Sequence, residues 1–197
     1  MTWVRGAAIR PVPAYAVVPE ATLSAVEEAL AREDESEPSG VDEAFQRFER
    51  TQPSLADTMN EVLQKPIDET ALALGYFLSI AIWLAFEKTF GDRLAQVTDD
   101  ATRATEAALA LEEELRATHS DEPLEIDDVV AMEQPGVLAF VHEHVEAALD
   151  PHGESGREVD VDDVHMVYRA ILVLTLALSH AVKPVGGAAG TGKELLA

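Results

Sequence analysis

Apolar residues recur every three to four positions through most of this chain, the spacing typical of one face of a helix. No stretch sustains the two-residue alternation that is typical of a half-buried strand. We therefore predict an all-α protein. The predicted helices cover residues 19–32, 42–51, 53–64, 68–90, 98–120, a short stretch from Ile126, 135–149 and 162–182.

Two stretches, residues 52–86 and 134–180, share the same order of features. Each has a Gln-Pro step, then an amphipathic run, then an acid-capped helix that is apolar on most faces. At a constant offset the matched positions are Leu55, Met59, Glu61 and Leu63 with Val137, Val141, Glu143 and Val145. The pattern predicts a helical bundle of two pseudo-repeated helical hairpins, with flanking helices and with the two apolar helices packed together.

Charged and breaker-rich stretches divide the chain into segments. Residues 1–40 are expected to hold an extended N-terminal arm, a short helix and an acidic linker. The first helical repeat then covers residues 41–97, a connecting helix 98–120, the second repeat 121–182, and a flexible tail 183–197. We expect residues 41–182 to form one globular domain.

The connecting helix carries a row of small and apolar residues. Ala101, Ala104, Ala108, Leu111 and Leu115 alternate three and four positions apart, which predicts a narrow seam for close packing. Its acidic residues, Glu106 and residues 112–114, are expected to face water.

The composition is strongly acidic, with 37 acidic against 14 basic residues and a net charge of −23. Such a surface repels phosphate backbones, so we expect no nucleic-acid partner. The acidity favours a solvated surface, with salt adaptation, a basic partner or mimicry of DNA as alternatives. The chain has no cysteine, which excludes disulfides and thiolate metal sites, and the N-terminal residues lack the continuous apolar core of a secretory signal. We therefore expect a cytoplasmic protein.

The apolar run over residues 71–86 raises the question of a membrane span. It lacks charge over 16 residues, whereas a span needs about 20. The matching helix of the second repeat carries His165 and Arg169 within its apolar region. We expect both helices to form the centre of a bundle rather than to cross a membrane.

The histidines give little support for a metal site. Asp162 and His165 have the i, i+3 spacing of two ligands, but the Glu-x-x-His motif of di-iron bundles does not occur in the sequence. His142 and His144 are two positions apart and point in different directions on a helix. We expect no metal, no other cofactor and no catalytic nucleophile.

The tail contains a glycine-rich run over residues 187–194 that fits G-x-x-x-x-G-K. The sequence GTGKELLA resembles the phosphate loop of enhancer-binding transcriptional activators. A functional loop of that kind follows a buried strand, whereas this run follows a helix and Pro184. We expect no nucleotide binding.

Two functional hypotheses follow from these features. The first is a non-enzymatic helical module that acts by protein–protein association, either with a partner or as a homodimer. The alternative is a small-molecule or metal-binding bundle, possibly an enzyme, with a pocket between the repeats lined by Arg169, His165 and Glu143. If no such pocket exists, Arg169 is expected to pair with Glu143 or Glu146 on the preceding helix.

Overall fold

The computed structural model describes residues 9–32, 40–118, 133–150 and 159–186. Within these residues the protein is all-α, as predicted, and the one sheet-like feature is an isolated antiparallel bridge between Leu94 and Val182. The helices are α1 (Glu20–Ala31), α2 (Gly40–Thr51), α3 (Pro53–Leu63), α4 (Glu69–Phe90), α5 (Asp99–Thr118), α6 (Pro135–Leu149) and α7 (Val161–Ala181).

The helices begin where the sequence supplies caps. The Asp68 carboxylate accepts the backbone N–H of Thr70 at the start of α4, and Asp160 accepts two backbone N–H groups at the start of α7. The Thr98 hydroxyl accepts the backbone N–H of Ala101 at the start of α5. These side chains satisfy donors that the first turn of a helix leaves without partners.

The two apolar helices, α4 and α7, pack against each other and form the largest helix–helix interface among the described residues, as expected. Trp83 on α4 is 1% exposed and packs against α2. Its ring lies 5.5 Å from that of Phe48 on α2, and the guanidinium of Arg47 lies 5.1 Å from its centroid. Burial of a large apolar side chain stabilises the fold by about 2 kcal/mol, so this pair of helices carries much of the stability.

The other helices surround this pair. Helix α3 packs on both α4 and α7, and α6 likewise packs on both. Helix α1 lies on α4 and α6, whereas α5 lies on α7 and α3, and α2 covers α3 and α4. Every helix is thus tied to the central pair.

Gly75 allows α4 to approach its neighbours closely. A Cβ atom at this position would lie 2.5 Å from Cδ2 of Leu63 on α3 and 3.2 Å from Cγ1 of Val167 on α7. The missing side chain is therefore replaced by those of two adjacent helices.

Arg93 joins three segments at one end of the bundle. Its Nε donates to the carbonyl of Lys183 (2.8 Å) and its Nη2 to the carbonyl of Tyr15 (3.4 Å). The guanidinium also lies over the rings of Tyr15 and Phe90. The chain before α1 is thereby connected to the ends of α4 and α7.

The connecting helix α5 uses a different face from the one predicted. Thr102, Leu109 and Glu112 are buried, whereas Ala104 is exposed and Leu111 is 48% exposed. The prediction that Glu112 faces water was therefore wrong. Polar residues are tolerated on the buried face because partners are available: the hydroxyl of Thr102 lies 2.8 Å from that of Ser54.

Two helical segments, Glu69–Arg93 and Val161–Ala181, are long and apolar enough to cross a membrane by length and composition alone. Their most apolar windows are 61% and 72% buried within the bundle. The core helices of a globular protein meet the same criterion, so this feature does not decide the location of the protein.

Several sequence predictions lie outside the described residues. They are most of the acidic linker, the short helix from Ile126, the loop before α7, and the glycine-rich run near Lys193.

Candidate functional site

Arg169 forms the ion pair expected of it, but with a different partner. Its Nε and Nη2 donate to Oε1 and Oε2 of Glu113 on α5, at 2.9 and 3.1 Å. The predicted partners, Glu143 and Glu146 on α6, were therefore wrong. Both side chains of the observed pair are only half-buried, at 43% and 41% exposure. The pair therefore links α5 to α7 at the surface of the bundle.

His165 and Glu143, the other two residues of the predicted pocket, are both exposed, on α7 and α6. Neither they nor Arg169 lines either of the two cavities described below. In the described part of the chain, no three His, Asp or Glu residues are placed to hold a metal ion.

The two histidines of α6, His142 and His144, contact aromatic rings. The ring of His144 lies 4.3 Å from that of Phe140 and 4.9 Å from that of Phe77. Its Nε2 is 3.2 Å from a carboxylate oxygen of Glu27, and its Nδ1 is 2.8 Å from the Phe140 carbonyl. His144 therefore links α1, α4 and α6.

Gln134, directly before α6, is fully buried and uses both ends of its carboxamide. Its Nε2 donates to the carbonyl of Ala16 (2.7 Å) and to the hydroxyl of Ser179 (2.8 Å). Its Oε1 accepts the backbone N–H of Val18 (3.0 Å). The side chain thus fixes the segment that leads into α1.

Gln52, directly before α3, makes the same pair of backbone hydrogen bonds as Gln134, but to a different segment of the chain. Its Nε2 donates to the carbonyl of Ala95 (3.1 Å), and its Oε1 accepts the backbone N–H of Val97 (2.8 Å). The segment it holds leads into α5. The sequence pattern marked the Gln-Pro steps as the first shared feature of the two repeats, but it did not reveal the hydrogen bonds of the glutamine side chains.

An open groove with a volume of about 380 Å³ lies between α5 and α7. The α5–α7 groove, as we call it, is mostly apolar, and its polar lining residues are Arg10, Gln96, Thr98, Thr105 and His180. Its wall on α5 includes Ala101, Ala104 and Ala108, the three alanines of the seam that the sequence predicted for close packing. The lining residues are Ile9, Arg10, Gln96, Val97, Thr98, Ala101, Ala104, Thr105, Ala108, Leu176, Ala177, His180 and Ala181.

A second cavity, of about 530 Å³, lies between α1, α2 and α4. Two of its four charged lining residues, Arg47 and Glu87, form an ion pair with each other at 2.8 Å. Part of its polar lining is therefore already engaged within the protein.

Comparison with known proteins gives no functional lead. No family model matches the chain, and no curated protein or solved structure shows significant similarity to it.

Proposed function

We propose that this protein is a non-enzymatic helical module that acts by association with another protein, and that the α5–α7 groove is the contact surface. The observation that carries the proposal is the exposure of the seam on α5. Ala101 and Ala104, which line the groove, are exposed, and Leu111, which belongs to the seam but does not line the groove, is 48% exposed, although their spacing is that of a packing face. An apolar groove with helical walls is a common docking surface for a partner segment.

The polar side chains of the protein also favour association over catalysis. The buried carboxamides of Gln52 and Gln134 bond to backbone groups and to Ser179, and Arg169 is paired with Glu113. These groups serve the fold, and their bonds leave them poorly placed to act on a substrate.

The proposal includes an architecture of two related helical hairpins. Gln52 before α3 holds the segment leading into α5, and Gln134 before α6 holds the segment leading into α1. Helices α3 and α6 each pack on both central helices, and α1 and α5 each pack on one of them. This reciprocal arrangement is what a duplicated unit, paired about a pseudo-twofold axis, would produce. The segment before α1 then serves as an arm that lies on the opposite hairpin.

The net charge of −23 supports a protein partner rather than nucleic acid. The chain has no cysteine, so its fold needs no disulfide and no oxidising compartment, and we propose a cytoplasmic location.

Photo-crosslinking in the cells that produce the protein tests the proposed contact surface. A photoreactive residue in place of Ala104 should give a discrete adduct with another protein. The same residue in place of Ala110 is the matched control, because Ala110 is exposed on α5 but does not line the groove. Equal adducts at both positions, or none at Ala104, would contradict the proposal.

A second candidate function is small-molecule binding in the same groove. Its volume of about 380 Å³ lies within the usual range of ligand pockets, and Arg10 and His180 line it beside apolar residues. These residues suit an apolar ligand with an acidic group. Native mass spectrometry of the purified protein tests this, since a bound ligand would add a constant mass that Ala104→Glu removes.

A further inference from the structure

We infer that the contact between His144 of α6 and Glu27 of α1 is a pH-sensitive clamp that holds α1 on α6. The clamp is closed when the imidazole ring carries two protons, and it weakens when the ring carries one. This inference goes beyond the proposed function and does not depend on it, because neither residue lines the α5–α7 groove.

Both ring nitrogens of His144 face hydrogen-bond acceptors. Nδ1 lies 2.8 Å from the carbonyl oxygen of Phe140, and Nε2 lies 3.2 Å from a carboxylate oxygen of Glu27. A neutral imidazole has one N–H group and one lone pair, so it can donate to only one of these acceptors. The imidazolium has two N–H groups and donates to both. The contact with the carboxylate therefore needs the charged ring.

Glu27 is the one charged group among the contacts that His144 makes within the described residues. The other contacts are aromatic: the ring of Phe77 on α4 lies at 4.9 Å and that of Phe140 on α6 at 4.3 Å. The side chain of His144 is 19% exposed, and partial burial by itself disfavours a charged ring. The carboxylate offsets this cost, whereas beside the neutral ring it would face a lone pair. The proton on Nε2 thus decides whether the contact attracts or repels.

Helices α1 and α5, with the segments that precede them, have matching sequences. Residues 16–31 pair with residues 95–110 at a constant offset, and seven of the sixteen pairs are identical. The hydrogen bonds of Gln134 and Gln52 follow the same register, because they hold equivalent residues of the two segments. This match extends the proposed duplication to α1 and α5.

The clamp is a difference between the two proposed copies. In the register of the duplication, Glu27 matches Glu106, and His144 matches Val62 on α3. Both carboxylates belong to half-buried residues, but a valine has no proton to donate. The contact of α5 with α3 therefore forms without an ionisable pair at this position. The packing of the helices does not require the pair, so His144 adds a separate, proton-dependent contact to α1.

The clamp should stabilise the protein at mildly acidic pH and lose this effect as the pH rises. Imidazole titrates at about pH 6.5, whereas a glutamate loses its charge only near about pH 4.3. At about pH 5.5 the ring is therefore charged while the carboxylate is still ionised. Because the folded protein supplies a partner for the second proton and the unfolded chain does not, stability decreases as the pH rises through this range.

Glu27→Gln tests the clamp in the full chain, because it removes the charge and keeps the shape of the side chain. It should lower the melting temperature by about 2–4 °C at about pH 5.5 and by less than about 1 °C at about pH 8. Glu28→Gln is the matched control, since Glu28 pairs with Arg32 on the same helix and neither group titrates between these pH values. Its effect should be the same at both.

Hydrogen exchange tests whether the effect belongs to α1. After correction for the intrinsic dependence of exchange on pH, the protection of α1 relative to α4 should decrease at least twofold between about pH 5.5 and about pH 8. The decrease should be absent in Glu27→Gln and in His144→Gln, because either change removes the proton-dependent contact.

Each other outcome overturns the inference. An equal loss of melting temperature at both pH values would show a contact that does not depend on the proton, and no loss at about pH 5.5 would show that the pair contributes nothing. A larger loss at about pH 8 would show that the neutral ring makes the better contact. A pH effect on exchange that is equal in α1 and α4 would show that the pair does not act on α1.

Discussion

Gln52 and Gln134 adopt nearly the same backbone conformation, φ −134°, ψ 56° and φ −137°, ψ 65°, and make equivalent hydrogen bonds. Each carboxamide accepts one backbone N–H and donates to the carbonyl two residues earlier in an extended segment. Each glutamine lies directly before a helix that begins with proline. One local motif thus fixes the chain at two distant places.

Gln134→Ala should lower the free energy of unfolding by about 2–4 kcal/mol, because it leaves buried donors and acceptors without partners. The Val18 N–H and the Ala16 carbonyl lose their partner, whereas the Ser179 hydroxyl loses one of two, since it still donates to the Thr175 carbonyl. Urea denaturation measures the loss. Gln46→Ala, at an exposed position of α2, is the control and should change stability by less than about 0.5 kcal/mol. Equal effects would show that the carboxamide of Gln134 adds little.

Arg169→Ala should lower the free energy of unfolding by no more than about 1 kcal/mol, since the guanidinium and its partner Glu113 are both half-exposed. A double-mutant cycle with Glu113→Ala should give a coupling energy below about 1 kcal/mol that decreases as salt is added. Glu146→Ala combined with Arg169→Ala is the control cycle and should show no coupling. A coupling energy above about 3 kcal/mol would instead indicate a desolvated pair.

Gly75→Ala should destabilise the protein by about 1 kcal/mol even though alanine is the better helix former. The added Cβ meets the end of Leu63 at 2.5 Å and a methyl group of Val167 at 3.2 Å. In thermal unfolding, the double variant Gly75→Ala with Leu63→Ala should lose less stability than the two single variants together, because truncation of Leu63 makes room for the added Cβ. If the two losses of stability add up, the contact with Leu63 is not the source of the strain.

Arg93→Met should release the chain before α1, because it retains much of the apolar stem and removes the donors to the Lys183 and Tyr15 carbonyls. We expect a loss of about 1–2 kcal/mol and faster hydrogen exchange in residues 12–18 than in α4. Arg103→Met, at an exposed ion pair of α5, is the control and should leave this exchange unchanged. Uniform exchange across the protein would indicate global unfolding instead.

The positions of most helices could be predicted from the sequence because their causes are local. Asp68 is followed by a backbone N–H that it can cap, and Pro53 and Pro135 suit the first turn of a helix. The pairing of α4 with α7 was also predictable, since a helix that is apolar on most faces must be covered by other helices.

The tertiary structure alone decided which faces and which partners those helices use. Periodicity marked the alanine row of α5 as a packing face, but the buried face is instead centred on Thr102 and Leu109, where Ser54 satisfies the hydroxyl of Thr102. Arg169 pairs with Glu113 because α5, not α6, presents a carboxylate beside its guanidinium. Such contacts join residues far apart in the chain. They depend on how helices are placed in space, which no local pattern of side chains determines.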